Sequence, residues 1–232
     1  MTSREQFLSE RLATVRARID DAVSAAGRTD DVQLIVVTKY FPASDVRLLA
    51  GLGVTEVGEN RHQEASEKSD ECADLGLSWH YIGGLQSNKA AAVARYASVV
   101  QSVDRPKLVA PLDRGAGESG RVVDVLLQVS LDDPGADHRA GVLPADLSAL
   151  ADQVAAAEHL RLRGLMAVAP LGEEPARAFE RLAQVRASFL SDHPQARVLS
   201  AGMSGDLEEA VAHGATHVRV GSAILGPRPP IL

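Results

Sequence analysis

The chain has 232 residues, 45% of them hydrophobic and 24% charged, with a formal net charge of -7. That is the make-up of one globular domain with a large core, and the acidic balance argues against a nucleic-acid protein, which carries a basic face. A lone cysteine, Cys72, precludes an internal disulfide, and 3% aromatic residues leave little to stack on bases.

No apolar stretch of the signal-peptide type follows the first residues, and no apolar run approaches membrane-spanning length. The expectation is a cytoplasmic monomer with no membrane and no nucleic-acid partner.

The first predicted element is a helix over about residues 3–26, where Leu8, Leu12, Val15, Ile19 and Val23 step by three or four and form one apolar stripe. A repeated strand-helix pattern follows. Strands are predicted over about 32–38, 55–58, 79–82, 98–102, 122–130, 162–168, 198–201 and 216–220, the fifth being the longest. Helices are predicted over about 43–52, 61–73, 87–96, from 105, and over 145–157, 175–190 and 206–213. A loop rich in Asp, Gly and Pro fills 132–141, and the chain runs out after residue 226.

Strands that alternate with helices pair in parallel. Eight such units in about 200 residues predict an α/β fold, a single (β/α)8 TIM-type barrel with an extra N-terminal helix, occupying residues 1–232 as one domain. The alternative is an open doubly wound sheet, but strand one ends in Thr38-Lys39-Tyr40-Phe41-Pro42 and lacks the glycine-rich turn that often opens such a sheet.

In this barrel a site forms at the C-terminal ends of the strands. Lys39 ends the apolar run Leu34-Ile35-Val36-Val37, where burying an amine is costly. It reads either as a snorkelling lysine at the rim or as a reactive amine. Two glycine turns lie near the end, Ala201-Gly202-Met203-Ser204-Gly205-Asp206 and Arg219-Val220-Gly221-Ser222-Ala223. Each reads as a capped tight turn or as an anion site of backbone N–H groups and a serine hydroxyl. Barrel closure brings strand eight beside strand one, so Lys39 is expected roughly 5–10 Å from both turns. An amine beside a phosphate site suits a small phosphorylated carbonyl compound. Arg219 shares a strand face with Gly221, and reads either as a cation facing the ligand or as a partner of a core carboxylate such as Glu59. The chain has no Gly-x-Ser-x-Gly elbow, no phosphate loop of Gly-x-x-x-x-Gly-Lys type and no convincing metal spacing.

Several segments resemble the pyridoxal phosphate homeostasis proteins, whose fold is like the N-terminal barrel of alanine racemase. They are Val36-Val37-Thr38-Lys39, Gly58-Glu59-Asn60-Arg61-His62-Gln63-Glu64, Trp79-His80-Tyr81-Ile82-Gly83-Gly84-Leu85-Gln86-Ser87-Asn88-Lys89, Leu199-Ser200-Ala201-Gly202-Met203-Ser204-Gly205-Asp206 and His217-Val218-Arg219-Val220-Gly221-Ser222-Ala223-Ile224-Leu225-Gly226. The resemblance implies pyridoxal 5'-phosphate (PLP) held as a Schiff base on Lys39. It places Ser204, Gly221 and Ser222 at the phosphate, Arg219 near the ring nitrogen, and Asn60 and Met203 along the pocket. Two departures stand out: Arg139-Ala140-Gly141 where many relatives carry Lys-x-Gly, and alanine at 201 where methionine is frequent.

The resemblance implies a role in the supply of free PLP and in amino-acid balance, with PLP-dependent apoenzymes as recipients and no catalytic residue assigned. A PLP-dependent amino-acid racemase is the alternative. Racemisation needs a second proton-transfer group opposite the lysine. Alanine racemases draw it from a further domain that is not expected here, and Tyr40 and Tyr81 are the nearby candidates. A lysine Schiff-base aldolase acting on sugar phosphates ranks third, because such enzymes place the lysine on a later strand.

Overall fold

The computed structural model describes residues 2–132 and 140–227. The first element is helix α1 (Ser3–Ala25), opened by a capping box in which Thr2 and Glu5 satisfy each other's backbone N–H groups. Its stripe Leu8, Leu12, Val15, Ile19 and Ala22 is buried. The barrel units follow as β1 (Gln33–Val37), α2 (Ala43–Gly51), β2 (Glu56–Glu59), α3 (His62–Glu71), β3 (Ser78–Tyr81) and α4 (Ser87–Ala94). Then come β4 (Val99–Val103), α5 (Val109–Glu118), β5 (Val123–Gln128), α6 (Leu147–Ala155), β6 (Leu160–Met166) and α7 (Pro175–Asp192). The last are β7 (Val198–Ser200), α8 (Leu207–Ala212), β8 (His217–Val220) and α9 (Ser222–Leu225).

The eight strands are parallel, pair in sequence order and close into a barrel. The seam joins β1 to β8 with Leu34 opposite Val218 and Val36 opposite Val220. The open-sheet alternative is thereby excluded. Strand β6, not β5, is the longest, because polar Arg161 and Arg163 alternate with buried residues and extend it two residues earlier than the apolar run suggests. Helix α9 was not expected; its four residues are too few to show a period.

Two apolar clusters fill the space between strands and helices. One joins α1 to Val36, Val57, Val218 and Val220, and the other surrounds α4 to α7. Helix α1 packs against α2, α8 and α9, so it lies across the seam side of the barrel. The barrel axis differs from the usual stack of branched apolar residues. Its lower half holds Glu56, His80, Gln101 and Ser200, which bond to one another in series.

Candidate functional site

Alternation along each strand decides which side chains reach the top of the barrel. In β1, Val36 belongs to the outer apolar cluster, whereas Val37 and, just beyond the strand, Lys39 face a cleft. In β8, Val218 and Val220 point outward, and Arg219 and the following Gly221 face the same cleft. The turn after β7 brings in Met203, Ser204 and Gly205, and Ser222 opens α9. The cleft is completed by Tyr40 and Ile82 and encloses about 270 Å³, near the lower end of small-ligand sites.

Six of the seven residues singled out from the sequence line this cleft: Lys39, Met203, Ser204, Arg219, Gly221 and Ser222. The seventh, Asn60, sits just past β2 and lies outside its lining. Its buried Oδ1 has no hydrogen-bond partner among the described residues. Gly83 explains its setting, since a Cβ there would lie 2.2 Å from the Asn60 carbonyl oxygen, so the loop after β3 presses directly on the Asn60 backbone. Arg139, in the loop after β5, lies outside the described residues.

The turn carrying Lys39 is braced from behind. Tyr40 has φ of 72°, a left-handed conformation that costs a non-glycine residue roughly 1–2 kcal/mol. Its N–H donates to Glu64 Oε1 at 2.6 Å. The buried Lys68 ammonium donates to the same oxygen at 2.7 Å, to Glu59 Oε1 at 2.7 Å and to the Thr38 carbonyl at 2.8 Å. Thr38 Oγ1 also donates to Glu59 Oε1, at 2.6 Å. Burial pushes the Glu59 carboxyl above its usual range, while Lys68 pulls the other way. Two cations lie near the Tyr40 ring, Lys39 Nζ 5.9 Å and the Arg61 guanidinium 5.2 Å from its centre.

The floor of the cleft is Arg219, 4% exposed. It donates to Ser200 Oγ at 2.8 Å and to the Ala167 carbonyl at 2.9 Å. Burial lowers this guanidinium to about 10, with Asp206 opposing, so it stays charged at neutral pH. The alternative pairing with Glu59 does not occur: Glu59 faces α3 on the outside of the barrel wall and belongs to Lys68.

Ser204 is not a helix cap. The cap position of α8 is Asp206, whose Oδ1 accepts from the Met203 N–H at 2.6 Å. The Ser204 hydroxyl has no hydrogen-bond partner among the described residues. The acids that follow are turned away from the cleft. Glu208 pairs with Arg18 at 2.9 and 3.0 Å, and Arg18 also donates to the Ser204 carbonyl at 3.2 Å. Gly202 has φ of 90°, and a Cβ there would meet Ala210 Cβ at 2.7 Å, so only glycine lets this turn fold back against α8.

Tyr81, one of the two tyrosines considered as a second base, packs in the outer apolar cluster with Leu85 and Ala90. Its place in β3 sends it away from the axis, opposite to His80. Sequence reasoning missed Val37. Val37 is two residues before Lys39, so strand alternation could have found it. Lys68 was missed because α3 reads as a uniformly polar helix.

The family model described as the alanine racemase N-terminal domain matches residues 11–229. A pyridoxal phosphate homeostasis protein from Mycobacterium tuberculosis is 45% identical over 97% of this chain and 94% of its own length. PipY from Synechococcus elongatus, solved with PLP bound, is 40% identical with a TM-score of 0.82, covering 94% of this chain and all of that one. Alanine racemase from Corynebacterium glutamicum shares the fold, with 17% identity and a TM-score of 0.66 over 95% of this chain and 60% of its own. Fold, strand-end residues and near-full-length identity agree: the chain belongs to the pyridoxal phosphate homeostasis protein family, built on the barrel of the alanine racemase N-terminal domain.

Proposed function

We propose that the cleft binds PLP and that the protein, a single cofactor-binding domain acting as a monomer, buffers the cofactor and passes it to PLP-dependent apoenzymes. The observation that carries this reading is the convergence on one cleft of a lysine amine, two serine hydroxyls, a glycine-lined wall and a buried arginine. PLP, when bound, supplies an aldehyde that reacts with amines and a ring that can draw electrons.

The residues fit that molecule. Lys39, the lysine of the cleft lining, would hold the cofactor through its aldehyde. Ser204 and Ser222 offer hydroxyl donors, and Gly221 leaves room for a phosphate to approach the backbone, since a Cβ there would already sit 3.0 Å from the Val37 carbonyl oxygen. Met203 would border the ring, with Asn60 just beyond the cleft lining. Arg219 only donates hydrogen bonds and stays charged. Placed at the ring nitrogen, it would oppose ring protonation and so weaken the electron sink that carbanion chemistry uses. A racemase would need a second proton-transfer group opposite Lys39, and Tyr81, one of the two candidates, points away from the cleft.

The test is transfer. PLP-loaded protein is mixed with a cofactor-free aminotransferase, and activity and the absorption of the loaded protein are followed together. The expected result is reactivation in step with loss of the bound-cofactor band. Interconversion of L- and D-alanine, at a rate proportional to protein and lost in Lys39→Ala, would instead establish the racemase.

A further inference from the structure

The axis of the barrel carries an unbroken line of side chains beneath Arg219. The Arg219 guanidinium donates to Ser200 Oγ at 2.8 Å, and Ser200 Oγ donates to Gln101 Oε1 at 2.8 Å. Gln101 Nε2 lies 2.8 Å from His80 Nδ1, and His80 Nε2 lies 2.5 Å from Glu56 Oε2. Ser200 and Gln101 are fully buried and His80 nearly so. Glu56 is the exposed end, with 24% of its side chain open. It reaches a basin at the opposite mouth of the barrel, which Asp124, Arg163 and His217 also line.

The direction of every bond follows from its first member. An arginine has no acceptor. Ser200 Oγ must therefore accept from Arg219, and its single O–H goes to the carbonyl of Gln101. That fixes the Gln101 amide with its NH2 toward His80, so Nδ1 accepts and the imidazole proton sits on Nε2, against the Glu56 carboxylate. All four bonds point the same way, from the cation to the anion, and aligned bonds of this kind strengthen one another in a low-dielectric interior.

This arrangement also solves a burial problem. The acceptors bonded directly to Arg219 are both neutral, Ser200 Oγ and the Ala167 carbonyl; Asp206 acts on it through space only, and a buried cation without a directly bonded carboxylate is costly. The line of dipoles ties it to a carboxylate on another strand at the far end of the barrel.

We propose that Ser200, Gln101, His80 and Glu56 are positioning residues that fix the Arg219 guanidinium at the floor of the cofactor cleft, so that a carboxylate at the bottom of the barrel tunes the cofactor at the top. This rests on the reading that the cleft holds PLP against Arg219. Gln101 is the keystone, being the one residue whose two ends must face opposite partners. None of the four lines the cleft itself; Ser200 reaches it only through Arg219.

The experiment compares PLP affinity and the absorption maximum of the bound cofactor in the wild type, Gln101→Leu, Gln101→Glu and Glu56→Leu, with thermal midpoints recorded alongside. Gln101→Leu cuts the line, and is expected to weaken PLP binding roughly tenfold and to move the absorption maximum. Gln101→Glu still accepts from Ser200 but offers His80 Nδ1 no N–H, so it holds Arg219 while parting it from Glu56, and is expected to keep affinity near wild type while moving the maximum. Glu56→Leu acts at the open end, where folding is least at risk, and is expected to move the maximum in the same direction as Gln101→Leu. If Gln101→Leu does not fold, Glu56→Leu decides. A normal wild-type band with unchanged affinity and maximum in the variants overturns the tuning role and leaves the cofactor reading intact. A wild type with no band overturns the cofactor reading, and the tuning role with it.

Discussion

The ammonium of Lys68 lies 2.8 Å from the carbonyl oxygen of Thr38, the residue that precedes Lys39. Its other two donors go to the carboxylates of Glu59 and Glu64. One buried cation thus holds the end of β1, the end of β2 and the left-handed Tyr40 turn in register. Lys68→Met leaves a buried carboxylate uncompensated, which should cost about 3–5 kcal/mol. Because burial and Glu64 then raise the Glu59 carboxyl with only the Thr38 hydroxyl opposing, the loss should be larger at neutral than at mildly acidic pH, where the carboxyl takes up a proton. Urea unfolding at the two pH values measures both effects, and a midpoint unchanged from wild type would contradict the bracing role.

Ser204 separates binding from folding. Its hydroxyl caps no helix, so Ser204→Ala should leave the thermal midpoint unchanged. It should weaken PLP retention by the loss of one hydrogen bond to a charged group, about 1.5–3 kcal/mol, or roughly 10- to 150-fold in Kd. Equilibrium dialysis reads this directly. Unchanged retention would remove Ser204 from the phosphate site.

His217 governs acid stability. Burial lowers its imidazole from an ordinary value of 6.5 to about 4, with Glu56 opposing and His80 and Arg163 reinforcing. Between those two values the unfolded chain binds the proton and the folded chain does not. Stability therefore falls as pH drops through that window, by up to about 3 kcal/mol. The Glu56 carboxyl, held below its usual range by its bond to His80, adds a loss in the same direction at lower pH. His217→Gln should flatten the upper part of the curve. Thermal midpoints taken across the window check this, and an equal slope in both proteins would contradict it.

Gly83 is where backbone meets backbone. A Cβ at this position would lie 2.2 Å from the Asn60 carbonyl oxygen and 2.7 Å from its Cα. Gly83→Ala should cost about 1–3 kcal/mol as an overpacked contact, and should weaken PLP binding by displacing Asn60. A variant with wild-type melting and affinity would show that the loop yields freely.

Much of this architecture is legible in the sequence. The alternation of strand and helix gave the barrel, and closure of β8 on β1 brought Lys39 to the glycine turns. Legibility failed where a residue's role depends on partners distant in sequence. Glu59 could be read as a partner for Arg219 because both are charged and near strand ends. Only the opposite facing of the two side chains, one into α3 and the other into the axis, separates them. Ser204 looked like a cap because serine before a helix commonly is one, yet α8 starts later and Asp206 closes the turn. The interior line from Arg219 to Glu56 joins β8, β7, β4, β3 and β2, and no local pattern signals it.

The most direct test of the central claim is an absorption spectrum of the purified protein with added PLP, before and after borohydride reduction, followed by peptide mapping. Reduction should fix the cofactor on Lys39, and Lys39→Ala should remain folded while losing the visible band. A band that persists in Lys39→Ala, or a reduced cofactor on a different lysine such as Lys89, would contradict the assignment of this cleft as the cofactor's home.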